Sequence, residues 1–174
     1  NTYSGPTTIS GGTLTVATPG RLASSDVSIG SNGSLKVQYT GADAFWRGKS
    51  ITFQNGSGFI IDLGANSIST VTAPVSLSAN PIFGGTPNIV ISNSPSVAIA
   101  IGTYPLIKYG TSISGAGNMP DTVSLPGGGF GTLQDDSPNT TLKLVVGGPL
   151  PPSIHWATGN GTWNTTTYNW KGAI

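Results

Sequence analysis

Glycine and proline interrupt this chain so often that no long helix can form in it. There are 26 Gly and 13 Pro among 174 residues, and both work against continuous helical hydrogen bonding. All six acidic residues are Asp, and Glu, a staple of soluble helices, is absent. Between the breakers lie short β-branched runs: Thr13–Val16, Ser34–Val37, Ser50–Phe53, Phe59–Asp62, Val75–Leu77 and Ile89–Ile91. Their length and composition predict strands. Several alternate apolar with polar residues, as half-buried strands do.

The spacing of these runs carries a further expectation. Segments starting near Gly11, Asn32 and Asn55 each read as a Gly/Asn turn leading into an apolar strand, with steps of about 20 residues, a period typical of solenoid coils. A single coil cannot bury its own apolar face, whereas stacked coils share a continuous core. Evenly spaced short strands with turn signals describe a β-sandwich equally well, and that is the alternative.

Composition limits what such a fold can do. Only 7 % of residues are charged, against roughly 25 % in an average soluble domain. The formal net charge is +1 and the seven Lys and Arg are scattered, so the basic patch that nucleic acid requires is lacking. The frequent Val, Ile and Leu supply a core, and low net charge argues against disorder. No apolar run reaches the roughly eighteen residues of a membrane-spanning helix. With no Cys, disulfides, thiolate metal sites and cysteine nucleophiles are excluded. Asn1 follows no charged and apolar leader, so a signal peptide is expected to lie outside this sequence or to have been removed.

The opening segment, Asn1-Thr-Tyr-Ser-Gly-Pro-Thr-Thr-Ile-Ser-Gly-Gly-Thr-Leu-Thr-Val16, has its own internal logic. Gly5-Pro6 makes a turn, Thr7 to Ile9 a short strand and Gly11-Gly12 a second turn, after which Leu14 and Val16 point inward. From Asn1 to Leu14 it closely resembles the autotransporter-associated β-strand repeat, whose pattern reads N-T-Y-[ST]-G-x-T-T-I-x-x-G-T-L. Gly20–Gly30 and Gly102–Gly115 are more loosely similar to segments downstream of that repeat in such proteins. The resemblance implies an exported right-handed parallel β-helix with a structural or adhesive role, and it supplies no catalytic residues.

From Pro149 the character changes. Pro149-Leu-Pro-Pro152 reads as a stiff connector, followed by an aromatic stretch in which Trp156, Trp163 and Trp170 recur at a step of seven, with Tyr168 beside the last. This stretch is similar to a segment that opens a new unit in large proteins carrying the repeat. Trp and Tyr faces stack on sugar rings, yet an odd step in extended chain places successive side chains on opposite faces. Trp156, Trp163, Tyr168 and Trp170 are therefore candidate contacts, either between subunits or with a glycan. Trp46, within Phe45-Trp46-Arg47, is expected to pack or to join a cation–π contact.

Catalytic patterns are weak. A two-carboxylate hydrolase would draw on Asp26, Asp43, Asp62, Asp121, Asp135 and Asp136, none of which sits in a motif; Asp in turns ordinarily bonds its own backbone. Gly128-Gly-Phe-Gly-Thr-Leu133 approaches a calcium-binding nonapeptide, but Leu133 stands where Asp is required; Asp135 and Asp136 are the nearest carboxylates. His155 is the only His, in a linker-like tail unsuited to a triad. Gly127-Gly128-Gly129 precedes no helix that could bind phosphate. Asn32, Asn55, Asn139, Asn160 and Asn164 open Asn-x-Ser/Thr triplets, which a chain this rich in Ser, Thr and Asn produces by chance.

The sequence thus predicts an all-β chain, a right-handed parallel β-helix or solenoid over residues 1–148, with a Pro-rich linker and Trp-rich segment over 149–174. That segment is expected to start a further unit or to act as an inter-subunit strand. The expected function is that of a non-catalytic structural or adhesive protein of the bacterial cell surface, self-associating end to end into a fibre or repeat array. No cofactor, metal, nucleic-acid partner or membrane span is expected. The alternative is a carbohydrate-binding module of a secreted polysaccharide-degrading enzyme.

Overall fold

The computed structural model describes residue 3, residues 5–41 (21–24 by backbone alone) and residues 44–147, together with the backbone of two short strands at 155–156 and 170–171. The chain is all-β, and among the described residues no α-helix occurs, only three single-turn 3-10 segments. In order come β1 (Thr7–Ala17), β2 (Gly20–Gln38), β3 (Trp46–Phe53), β4 (Gly58–Asp62), β5 (Val75–Leu77), β6 (Pro81–Phe83) and β7 (Asn88–Ser92). The second half adds β8 (Gly102–Lys108), β9 (Val123–Ser124), β10 (Phe130–Asp136) and β11 (Thr141–Val146), and then the separate antiparallel pair β12 (His155–Trp156) and β13 (Trp170–Lys171).

Each apolar run anticipated from alternation lies in a strand, and β3, β4 and β7 bury every second residue along most of their length. The buried residues fall into ladders because the strands pair in register. Ile9, Ile29, Phe53 and Phe83 follow one another across neighbouring strands. So do Leu14, Leu35, Phe59 and Ile89, and likewise Val16, Val37, Ile61 and Ile91. Phe53 joins two ladders, stacking on Phe83 at 5.0 Å between centroids and meeting Phe59 edge-on at 5.4 Å. Burying each such side chain contributes roughly 2–3 kcal/mol. Trp46 is buried as well, and Gly48 makes room for it: a Cβ there would stand 2.7 Å from the indole ring.

The topology corrects the expectation of a right-handed parallel β-helix or solenoid, and equally the sandwich alternative. A single sheet closes into a nine-strand barrel that mixes parallel and antiparallel pairs. The twenty-residue spacing does appear as register, with Gly11 beside Asn32 and Gly12 beside Gly33. Two parallel tracks leave the long strand β2, one through β4, β7 and β9, the other through β3, β5 and β8. An open coil would continue both. Instead β10 pairs antiparallel with β9 and β11, and β11 pairs antiparallel with β8, so the tracks are joined and the ring is closed. Two tight turns make this reversal. Gly127 and Gly128 take φ of 74° and 80°, and Thr140 takes the left-handed φ of 46° between β10 and β11.

Candidate functional site

Two strands of the main sheet stand outside the ring, and they are finished differently. β6 is three residues long, and its outer edge is covered: Ile82 bridges Ser114, Phe83 N–H donates to Ser114 O at 2.8 Å, Ser114 N–H donates to Pro81 O at 3.1 Å, and Asn118 Nδ2 donates to Phe83 O. β1 is eleven residues long and pairs with β2 alone. Among the described residues no strand meets its other edge.

Natural sheets protect such an edge with charge, proline or short length. Thr7–Ala17 contains neither a charged residue nor a proline, and the irregularity between Ile9 and Gly11 is its one interruption. The apolar ladders also end here unfinished. Leu35 and Val37 on β2 are fully buried, whereas Leu14 and Val16, their partners on β1, are half-buried. The edge is held in place by buried hydroxyls. At one end Ser25 Oγ donates to Gly5 O at 2.6 Å and lies 3.0 Å from Thr7 Oγ1. At the other end the Thr18 and Thr40 hydroxyls bond one another's segments, Thr40 N–H donating to Thr18 Oγ1 at 3.0 Å. Ser25 and Thr18 are buried, so the bonds that tie the two ends of β1 are shielded from water.

The carboxylates are occupied locally. Asp26 accepts from Lys49 at 2.8 Å and from Ser50 at 2.6 Å, and the Lys49 hydrogen bond holds its carboxyl below the usual range. Asp62 pairs with Lys36 at 2.6 Å and accepts the Gly64 N–H, with the same downward effect, chiefly from Lys36. Asp136 is lowered by Lys143 and bonded by Asn139. Its neighbour Asp135 accepts the Tyr109 hydroxyl, and burial, reinforced by that carboxylate, pushes the Tyr109 phenol upward. Asp121 is exposed, and Asp43 lies outside the described residues. Among the described residues no group of three His, Cys or Asp could hold a metal ion. Leu133, in the near-calcium motif, packs against the core within β10.

Of the aromatic candidates in the tail, the Trp156 backbone pairs with that of Trp170 across β12 and β13; Trp163 and Tyr168 lie outside the described residues. Sequence reasoning did not single out Ser25, Thr18 or the Ser114–Asn118 cover of β6. In a chain this rich in Ser and Thr, no local signal separates a buried peg from a surface hydroxyl. Among the described residues no helix is long and apolar enough to cross a membrane. No family model matches the chain, and neither a curated protein nor a solved structure matches it.

Proposed function

We propose that this chain is a non-catalytic structural or adhesive protein of the bacterial cell exterior, and that it associates with further copies through the outer edge of β1. The observation that carries the reading is the contrast between the two strands outside the ring. One is short and covered, while the other is long, uncharged, pinned at both ends and left with half-buried Leu14 and Val16. Strand addition to such an edge draws affinity from main-chain hydrogen bonds and register from alternate side chains. The likeness of Asn1–Leu14 to a repeat of exported surface proteins supports the same role.

Sedimentation of the full chain over a concentration series, with electron microscopy of the concentrated sample, tests this. Wild type is expected to form oligomers or filaments whose population grows with concentration. The double variant Leu14→Lys/Val16→Lys, placing charge on the open rung, is expected to remain monomeric with an unchanged circular dichroism spectrum. A wild-type chain that stays monomeric throughout, or a folded double variant that assembles as wild type does, overturns the proposal.

A further inference from the structure

A second surface, on the opposite track of the barrel, has the chemistry of a binding site. Arg47 on β3, Ser76 on β5, Lys108 on β8 and Thr141 on β11 are register partners on four successive strands. Their buried neighbours Trp46, Val75 and Ile107 point inward, so Arg47, Ser76 and Lys108 point outward. Strand spacing sets the Arg47 and Lys108 backbones roughly 10 Å apart. Beside this row lies a groove of about 250 Å³ whose lining includes Phe45, Val71, Pro105, Ser76, Lys108 and Thr141. Val71 contributes to this lining while remaining 83 % exposed. The Arg47 guanidinium lies 4.7 Å from the centroid of the Phe45 ring, which forms part of the groove wall.

The charges here differ from the other cations whose side chains are described. Lys36, Lys49 and Lys143 are each ion-paired with an Asp. Among the described residues Arg47 and Lys108 pair with no carboxylate. Lys108 Nζ donates to the Asn139 carbonyl, which uses one of its three protons. Arg47, stacked on Phe45, keeps the edge of its guanidinium for a planar anion.

We infer that this groove binds a hexuronate-type residue of an acidic polysaccharide, its carboxylate held between Arg47 and Lys108. The pieces match in kind. A pyranose ring carries an apolar C–H face for Phe45 and Val71, a hydroxyl for Ser76, and one carboxylate for the two cations, while the buried Thr141 hydroxyl is already given to the Asn139 carbonyl at 2.9 Å. The groove lies below the roughly 300–1,000 Å³ of sites for drug-sized ligands, which suits one sugar ring. An acidic peptide side chain would satisfy the cations but leave the Phe45 and Val71 side chains without a contact.

Titration of the full chain with trigalacturonate, followed by calorimetry and by NMR shifts, tests the assignment. Binding is expected to weaken with added salt, to weaken about tenfold in Arg47→Ala, the loss of one charge-assisted contact, and to weaken similarly in Lys108→Ala. Val71→Asp, which adds a negative charge to an exposed position, is expected to abolish it. Neutral maltotriose is expected not to bind. Equal affinity for maltotriose, equal affinity for a triaspartate peptide, no binding of trigalacturonate, or binding indifferent to all three substitutions in folded variants would each overturn it. Repeating the titration on Leu14→Lys/Val16→Lys separates this groove from the β1 edge.

Discussion

Ser57, at the turn into β4, illustrates how tightly the corners of this barrel are set. Its backbone is fully used, the N–H donating to Gln54 O at 3.1 Å and the carbonyl accepting from Asn88 N–H at 2.7 Å. Its hydroxyl is buried and has no hydrogen-bond partner. A buried hydroxyl without a partner forfeits its water and gains nothing. Ser57→Ala is therefore expected to stabilise the fold by about 1 kcal/mol, read as a raised midpoint in thermal unfolding; a lowered midpoint would refute this account of the hydroxyl. Gly33 shows the opposite constraint. A Cβ there would stand 2.1 Å from the Ile9 carbonyl oxygen, because β1 and β2 close up at this corner, whereas Gly12, at φ 70°, has nothing within 4 Å of its added carbon. Gly33→Ala is expected to cost about 1–3 kcal/mol through overpacking. Gly12→Ala is expected to cost about 1 kcal/mol through backbone strain alone. Urea midpoints of the two variants decide the order, and a reversal would mean that the corner gives way easily.

Between strands, the ion pairs tie neighbours together and impose a pH dependence whose sign is fixed. Lys36 on β2 reaches Asp62 at the end of β4, and Lys143 on β11 reaches Asp136 on β10. Asp26, Asp62 and Asp136 all have folded-state pKa values below the ordinary carboxylate value, each first because of its lysine. Such a group contributes stability that is fully present above its unfolded pKa, about 3.9, and is lost as pH falls through the lower folded value. Asp62→Asn is expected to cost up to about 1 kcal/mol at neutral pH, the scale of a partly exposed pair. The difference from wild type should vanish in strong acid. Denaturant unfolding across an acidic pH series measures it, and a constant difference would assign the cost to packing rather than charge. The same scale marks what could be read from the sequence. Alternation is local, so runs such as Ser34–Val37 and Phe59–Asp62 announced their strands. Closure was not local: it depends on β8 meeting β11 some thirty-five residues later, and on Thr140 holding a left-handed turn without being glycine. The twenty-residue spacing therefore gave the register of β1 on β2, while the antiparallel strands that turn parallel tracks into a ring left no periodic trace. The uncharged character of β1 was visible, but the pegs at Ser25 and Thr18 that fix its edge were not. Arg47 and Lys108 became a pair only through register.

For the main sheet, closure divides the described strands into nine with two or more strand neighbours and two, β1 and β6, with one, of which only β6 has its outer edge covered. Each of the nine ring strands must break two seams to open, and ring residues such as Leu35, Phe59, Ile61 and Leu144 have no exposed surface. β1 has a single seam and a half-covered apolar rung. Local opening free energies follow such differences in buried contact. Native-state hydrogen exchange is thus expected to show two classes of amide, with β1 opening at low free energy and the ring strands exchanging only through global unfolding. If β1 is the associating edge, its protection should also rise with protein concentration while that of the ring does not. Leu144→Ala tests whether the ring is one unit. Leu144 stands on β11 opposite Tyr104 of β8 and Leu133 of β10, at the antiparallel junction that closes the sheet. Its loss is expected to cost about 2–5 kcal/mol. In a closed, cooperative ring that cost lowers protection equally on β4 and β7, far from the substitution. A loss confined to β8, β10 and β11 would instead show that the antiparallel strands open on their own, leaving the two parallel tracks standing without them.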